Sequence, residues 1–203
     1  DEFTTTEVLR ASEDRVEPRC EYFERCGGCS LQHLAHGAQI QHKQSVLQEH
    51  LTHFAKTSPK QWLEPLLSEG YGYRGKARLG VYYDPRTKQA NIGFRAKRDN
   101  HIVDIKRCVV LDERVADKIA AFHDVLLSMS SPRSLTHFEI AAGDDAVALL
   151  VRHVQPLLDS DIDKLVAFSK TQQFDLYLQP GKANTAHKIW PEDNRARLTY
   201  RLP

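Results

Sequence analysis

The sequence predicts an α+β fold: a mainly antiparallel sheet with helices packed on one face, preceded by an N-terminal cysteine-rich loop. Three observations predict it. Residues 73–83 and 90–96 alternate apolar and basic side chains with the two-residue period of a half-buried strand. Residues 34–56, 112–129 and 159–170 repeat their apolar residues at helical spacing instead. From Val103 onward the elements follow in the order β-α-β-β-α-β, the split arrangement that lays helices over one face of an antiparallel sheet.

Each element has its own justification. Residues 4–10 read as the tail of a strand, and a polar connector runs from there to Pro18. The helix predicted over 34–56 carries Ile40, Leu47, Leu51 and Phe54 on one face, and His42, Lys43, His50 and His53 on the other. These histidines, with His33 and His36, are spread around the helix and read as solvated surface rather than a zinc site. Trp62 and Tyr71 read as buried anchors of that helix rather than base-stacking groups. In 73–83, Ala77, Leu79, Val81 and Tyr83 share one face, while Arg74, Lys76 and Arg78 share the other. "DPRTKQ" opens with the Asp-Pro of a turn. The next strand sends Ala90, Ile92, Phe94 and Ala96 inward and Arg95 and Lys97 outward. Paired as a hairpin, the two strands put five cations on one face, because a one-residue slip would bury the charges.

"HIVDI" is a third short strand leading to Cys108. Asp112 is an N-cap for a helix running to about Met129, with Val115, Ile119, Phe122 and Leu126 as its buried stripe. "LTHFEIAAG" and "AVALLVRH" form a hairpin in which Asp144 and Asp145 are turn residues rather than an acid pair. The helix of 159–170 turns Ile162, Leu165, Val166 and Phe168 inward. "FDLYLQ" is a further strand, and "RARLTYRLP" begins another.

The 203 residues suffice for one core with small appendages, and 41% hydrophobic with 27% charged residues is the composition of a water-soluble protein. No apolar run approaches the roughly 20 residues that span a bilayer, and the acidic N-terminus lacks the pattern of a secretory signal. Both point to a cytoplasmic protein with no membrane partner. The net charge of +1 argues against a uniformly basic nucleic-acid binder, but its distribution is uneven. From Tyr71 to Cys108 ten Lys/Arg stand against three Asp, a local +7. Such a concentration is either a phosphate footprint or a solvated surface.

The four cysteines are spaced Cys20-x5-Cys26-x2-Cys29-x78-Cys108. In a reducing compartment, clustered thiols favour a metal over disulfides. A thioredoxin-like pair fits poorly, since no strand leads into the C-x-x-C and a third cysteine lies six residues upstream. Four thiolates suit tetrahedral zinc or an iron–sulfur cluster, and a single short C-x2-C leans toward iron–sulfur. Gly27 and Gly28 let the backbone wrap tightly and aim amide N–H groups at sulfur.

Taken together, "PRCEYFERCGGCSLQH", "YRGKARL", "NIGFR", "IVDIKRCVVL", "HFEI" and "FDLYL" resemble the bacterial 23S ribosomal RNA uracil-5-methyltransferases along essentially the whole chain. A sister ribosomal RNA methyltransferase also carries such cysteines, but "CGGCSLQH" and the "GYRGKARL…GFR" region sit closer to the 23S enzymes. The resemblance implies a [4Fe-4S] cluster on Cys20, Cys26, Cys29 and Cys108. It implies the end of a TRAM domain and a connector over 1–17, and a cluster loop over 18–33. A central α+β domain would cover 34–190, and 191–203 would lead into a methyltransferase domain. S-adenosylmethionine would belong only to the longer protein, because no glycine-rich strand–turn–helix is present and all four cysteines are assigned to the cluster. The chain is therefore expected to be an inactive fragment of an RNA methyltransferase, with no catalytic residue of its own. Its partner would be a 23S ribosomal RNA stem-loop, gripped by Arg74, Lys76, Arg78, Arg95 and Lys97, with no obligate protein partner evident. Two rival classes remain: a free-standing four-cysteine zinc module that binds nucleic acid, and an electron-transfer protein.

Overall fold

The computed structural model describes residues 6–193 and 197–201. The chain divides into two units, Asp1–Phe23 with Cys29–Ser68, and Glu24–Gly28 with Glu69–Pro203. Among the described residues no helix is long and apolar enough to cross a membrane.

The first unit is built around α1 (His36–His53). Backbone hydrogen bonds from Val16 N–H to the His33 carbonyl and from Ala35 N–H to the Asp14 carbonyl tie the connector to its start. The apolar face expected on α1 exists in sequence, yet none of its residues is buried: Leu47 is 50% and Phe54, just beyond the helix, 81% exposed. Two expectations fail here. Residues 6–10 form no strand, and residues 4 and 5 lie outside the described residues. Trp62 is exposed rather than a buried anchor, because residues 57–69 form no regular element against which it could pack.

The second unit is a six-stranded sheet in the order β2-β1-β3-β4-β5-β6. Its strands are β1 (Lys76–Asp84), β2 (Gln89–Gly93), β3 (Leu135–Ala142), β4 (Val147–His153), β5 (Phe174–Gln179) and β6 (His187–Trp190). The expected hairpins β1–β2 and β3–β4 are both antiparallel, and Val81 pairs with Ile92 in the first. Only β4 and β5 run parallel, joined by α4 (Asp159–Gln172), whose end is closed by Gln173 in the left-handed conformation. Alternation decides which face is covered. Leu79, Ile92, Phe138, Leu149 and Leu176 point to the helices and are fully buried. They meet Phe122, stacked on Phe138 at 4.9 Å and flanked by Phe168 and Phe174.

The helix expected from Asp112 to Met129 is two pieces, α2 (Glu113–Ala116) and α3 (Ile119–Ser128). Asp112 caps α2 through the Arg114 N–H, as expected, and all four stripe residues are buried. The break has a hydrogen-bond cause. The Ala116 carbonyl accepts the Cys108 N–H, and the Ala120 N–H donates to Lys106, so the bond that would continue the helix is not made. "HIVDI" lies along β2 through Val103 N–H to Phe94 and Ile105 N–H to Ile92, without becoming a ladder strand. The Asp104 carboxylate takes the Ile92 N–H at 3.0 Å and interrupts the ladder. β6, only four residues long, carries no periodic signal in the sequence. Of the strand expected over 195–203, residues 195, 196, 202 and 203 lie outside the described residues, and residues 197–201 are not a strand. The latter cross the β3–β4 turn instead, where Asp144 N–H donates to the Thr199 carbonyl and Asp145 accepts from the Thr199 hydroxyl. The two acids thus serve a turn, as expected.

Candidate functional site

Because Leu79 and Val81 face the helices, the same pleat sends Lys76, Arg78 and Gly80 to the face of β1 opposite the helices. Residues 24–28 are laid along the segment after β2. Gly27 N–H donates to the Arg95 carbonyl at 2.9 Å and Lys97 N–H to the Arg25 carbonyl at 3.0 Å. Glycine is needed at 27, since a Cβ there would stand 2.8 Å from that carbonyl oxygen. The result is a groove of about 590 Å³ in which Arg78, Arg95, Lys97, Asn100 and His137 converge. Arg95 is held by the Asn100 side-chain carbonyl at 2.7 Å. Arg78 is held by Glu139, its register partner on β3, at 2.8 Å, and Glu139 also approaches Arg152 on β4 at 3.7 Å.

The electrostatics of the groove register on His137. Burial pushes its imidazole below the ordinary histidine range, Arg152, Arg78 and Arg95 push it further down, and Glu139 pulls the other way. A field that disfavours a proton favours an anion. Three of the five cations singled out from sequence, Arg78, Arg95 and Lys97, therefore meet in one groove. Lys76 lies beside it, lining a second hollow of about 580 Å³ with Arg78, Glu139 and Tyr177. Arg74 is different. It is half-buried, donates to the Gly28 carbonyl at 3.1 Å and stands 5.8 Å over the Phe94 ring, so it fastens residues 24–28 rather than facing the groove. Sequence reasoning missed His137, Glu139 and Arg152. Their alternation was readable in "THFEI" and "LLVRH", but their place beside Arg78 depends on the β1–β3–β4 register.

The four cysteines divide between the units: Cys20 and Cys29 lie in the first, Cys26 and Cys108 in the second. None is in a disulfide. Burial raises the Cys20 thiol above its usual value, the Tyr22 N–H lowers it, and the nearby Cys29 and Glu21 raise it again. Cys26 Sγ accepts the Gly28 N–H at 3.4 Å, as the glycine pair suggested. Among the described residues, no three His, Cys, Asp or Glu side chains are arranged to hold a metal ion. The donor set nevertheless fits an iron–sulfur cluster in chemistry: four soft thiols without disulfides, one already supported by an amide N–H.

No protein-family model matches the chain. It is 42% identical over 202 residues to the 23S rRNA (uracil(1939)-C(5))-methyltransferase RlmD of Hahella chejuensis, an alignment covering all of this chain and 45% of that protein. The RlmD of Alcanivorax borkumensis is 41% identical over 203 residues, and that of Acinetobacter baumannii (strain AYE) 40% over 195. The chain thus spans about half the length of the curated relatives it matches. Its fold is similar to a crystal structure of Pyrococcus abyssi tRNA (uracil-54, C5)-methyltransferase in complex with S-adenosyl-L-homocysteine. The TM-score is 0.55 and the identity 20%, over 87% of this chain and 40% of that one. The chain is accordingly a close sequence relative of proteins named as ribosomal RNA uracil-C5 methyltransferases, and shares its fold with part of a transfer RNA counterpart.

Proposed function

We propose that this chain is the RNA-gripping, cluster-bearing portion of an S-adenosylmethionine-dependent 23S ribosomal RNA uracil-C5 methyltransferase. The observation that carries this reading is identity of 40–42% along essentially the whole chain to proteins bearing that name. The groove supports it independently. Arg78, Arg95 and Lys97, with Lys76 beside them, neutralise phosphates of an RNA stem-loop, while Glu139 and Asn100 hold the guanidiniums in place before RNA arrives. Arg74 acts at one remove, by fastening the Gly27–Gly28 wall. Cys20, Cys26, Cys29 and Cys108 would hold a [4Fe-4S] cluster, whose contribution is to crosslink the chain rather than to methylate. S-adenosylmethionine and the attacking thiol belong to the longer protein, so this chain alone binds RNA without turning it over.

The test is salt-dependent binding of a ribosomal RNA stem-loop. Replacing Arg78, Arg95 and Lys97 together by alanine lowers the slope of log affinity against log salt by about 0.7 to 0.9 for each phosphate that is no longer neutralised. Unchanged far-ultraviolet circular dichroism would show the variant to be folded. A folded triple variant with the wild-type slope would reduce the groove to a solvated surface.

A further inference from the structure

His137 lines the groove with Arg78, Arg95 and Lys97, and three guanidiniums act on its ring. It lies on β3 opposite Gly80 of β1 and Arg152 of β4. The space above Gly80 is taken by the Ile102 side chain, which would stand 2.8 Å from a Cβ there, and His137 lines the groove beside them. Nδ1 is within 3.1 Å of the Thr136 hydroxyl, whereas Nε2 has no hydrogen-bond partner among the described residues. The charged groups around it are Arg78 from β1, Glu139 from β3, Arg152 from β4, and Arg95 from the segment after β2. Glu139 is shared between Arg78 and Arg152 and offsets only part of their charge.

We propose that His137 is a phosphate ligand of this groove that takes up one proton when single-stranded RNA binds. The inference rests on the reading of the groove as an RNA interface. In the free protein, burial and three guanidiniums disfavour a second ring proton on the imidazole. A phosphodiester seated among Arg78, Arg95 and Lys97 cancels that field and supplies an acceptor. A proton from solvent then forms the Nε2–H bond, and that N–H donates to a phosphate oxygen. The sign follows from linkage. RNA raises the imidazole's titration point, so affinity increases as pH falls through the bound value and levels off below the free one. One linked proton limits the gain to about tenfold per pH unit.

The experiment measures binding of a fluorescent single-stranded oligouridylate to the whole chain from pH 5 to 8 at fixed salt. Wild type is expected to bind more tightly as pH falls, approaching tenfold per unit at the steepest. His137→Gln, which keeps a hydrogen-bonding side chain but cannot titrate, is expected to flatten that dependence. His101→Gln is the control: His101 is exposed and pairs with Asp99 at 2.8 Å, and its loss should leave the pH dependence intact. Proton NMR of wild type gives a second reading that needs no variant, since saturating oligouridylate should raise the titration midpoint of the His137 ring. Binding that is independent of pH, or equally pH-dependent in His137→Gln, would overturn this inference and leave the groove's RNA role standing. Absence of oligouridylate binding at every pH would also overturn this inference, and absence of stem-loop binding in the salt titration above would overturn both.

Discussion

The first unit buries only Phe23 and Gln32 among its described residues, whereas the second buries a continuous layer from Leu79 to Leu178 between its sheet and helices. Physical chemistry makes the contrast severe. A fully buried Phe contributes roughly 1.5–3 kcal/mol, while ordering each residue costs about 1–2 kcal/mol in backbone entropy. One phenylalanine and the short bonds from Asp14 and Val16 cannot offset that cost for the whole first unit. Small units with thin cores are held by disulfides or metals, and no disulfide is present. The comparison therefore bears on the cysteines: the unit that most needs a staple contains Cys20 and Cys29.

The sharpest way to probe the well-packed side is at its centre. Phe122 is fully buried and touches Phe138, Phe168 and Phe174. Phe122→Ala leaves a cavity in that aromatic cluster and is expected to cost about 3–5 kcal/mol, read from urea unfolding followed by circular dichroism. A loss below about 1 kcal/mol would mean that the sheet unit is not stabilised by this core.

On the thinly packed side the corresponding cut is Cys20→Ser. Protein purified without oxygen is expected to be brown, with a broad absorption band toward the blue end of the visible, and the variant colourless. Limited proteolysis should then cleave within residues 6–68 while the sheet unit survives, because losing a metal removes the binding energy that doubles as folding energy. Anaerobic wild-type protein that is colourless and carries one zinc would replace iron with zinc in this account. Equal protease resistance with and without Cys20 would show that the first unit needs no staple.

The same contrast explains what the sequence made legible. Where burial is strong, the pattern was readable: the alternation Leu79–Val81 and Ala90–Ile92 placed β1, β2 and the cationic face, and the stripe Val115–Ile119–Phe122–Leu126 placed α2 and α3. What escaped was set by hydrogen bonds across the chain, which leave no periodic trace. Asp104 capping Ile92 stopped "HIVDI" from becoming a strand, and Cys108 donating to Ala116 split the helix. The site was half legible for the same reason. Arg78 follows from alternation, but the strand expected over 90–96 ends at Gly93, so Arg95 and Lys97 reach the groove on the segment bonded to residues 24–28. Bringing His137, Glu139 and Arg152 beside them required the pairing of Arg78 with Glu139 and of His137 with Arg152. In the first unit the helical spacing of Ile40, Leu47 and Leu51 was real, yet burial did not follow from it.

That last mismatch yields the smallest predicted effect and a direct check on the comparison. Leu47 is 50% exposed on α1, whereas Leu165 on α4 is fully buried. Leucine to alanine at Leu165 should cost about 2–5 kcal/mol, the transfer term plus the cavity left behind. At Leu47 no cavity forms, alanine has the higher helix propensity, and the expected change is within about 0.5 kcal/mol in either direction. Paired urea titrations of the two variants measure both. Similar large losses would show that the apolar face of α1 is covered in solution, and the first unit would then have a core of its own making. A neutral Leu47→Ala beside a damaging Leu165→Ala would show that helical periodicity in this chain marks burial only where the sheet supplies a partner.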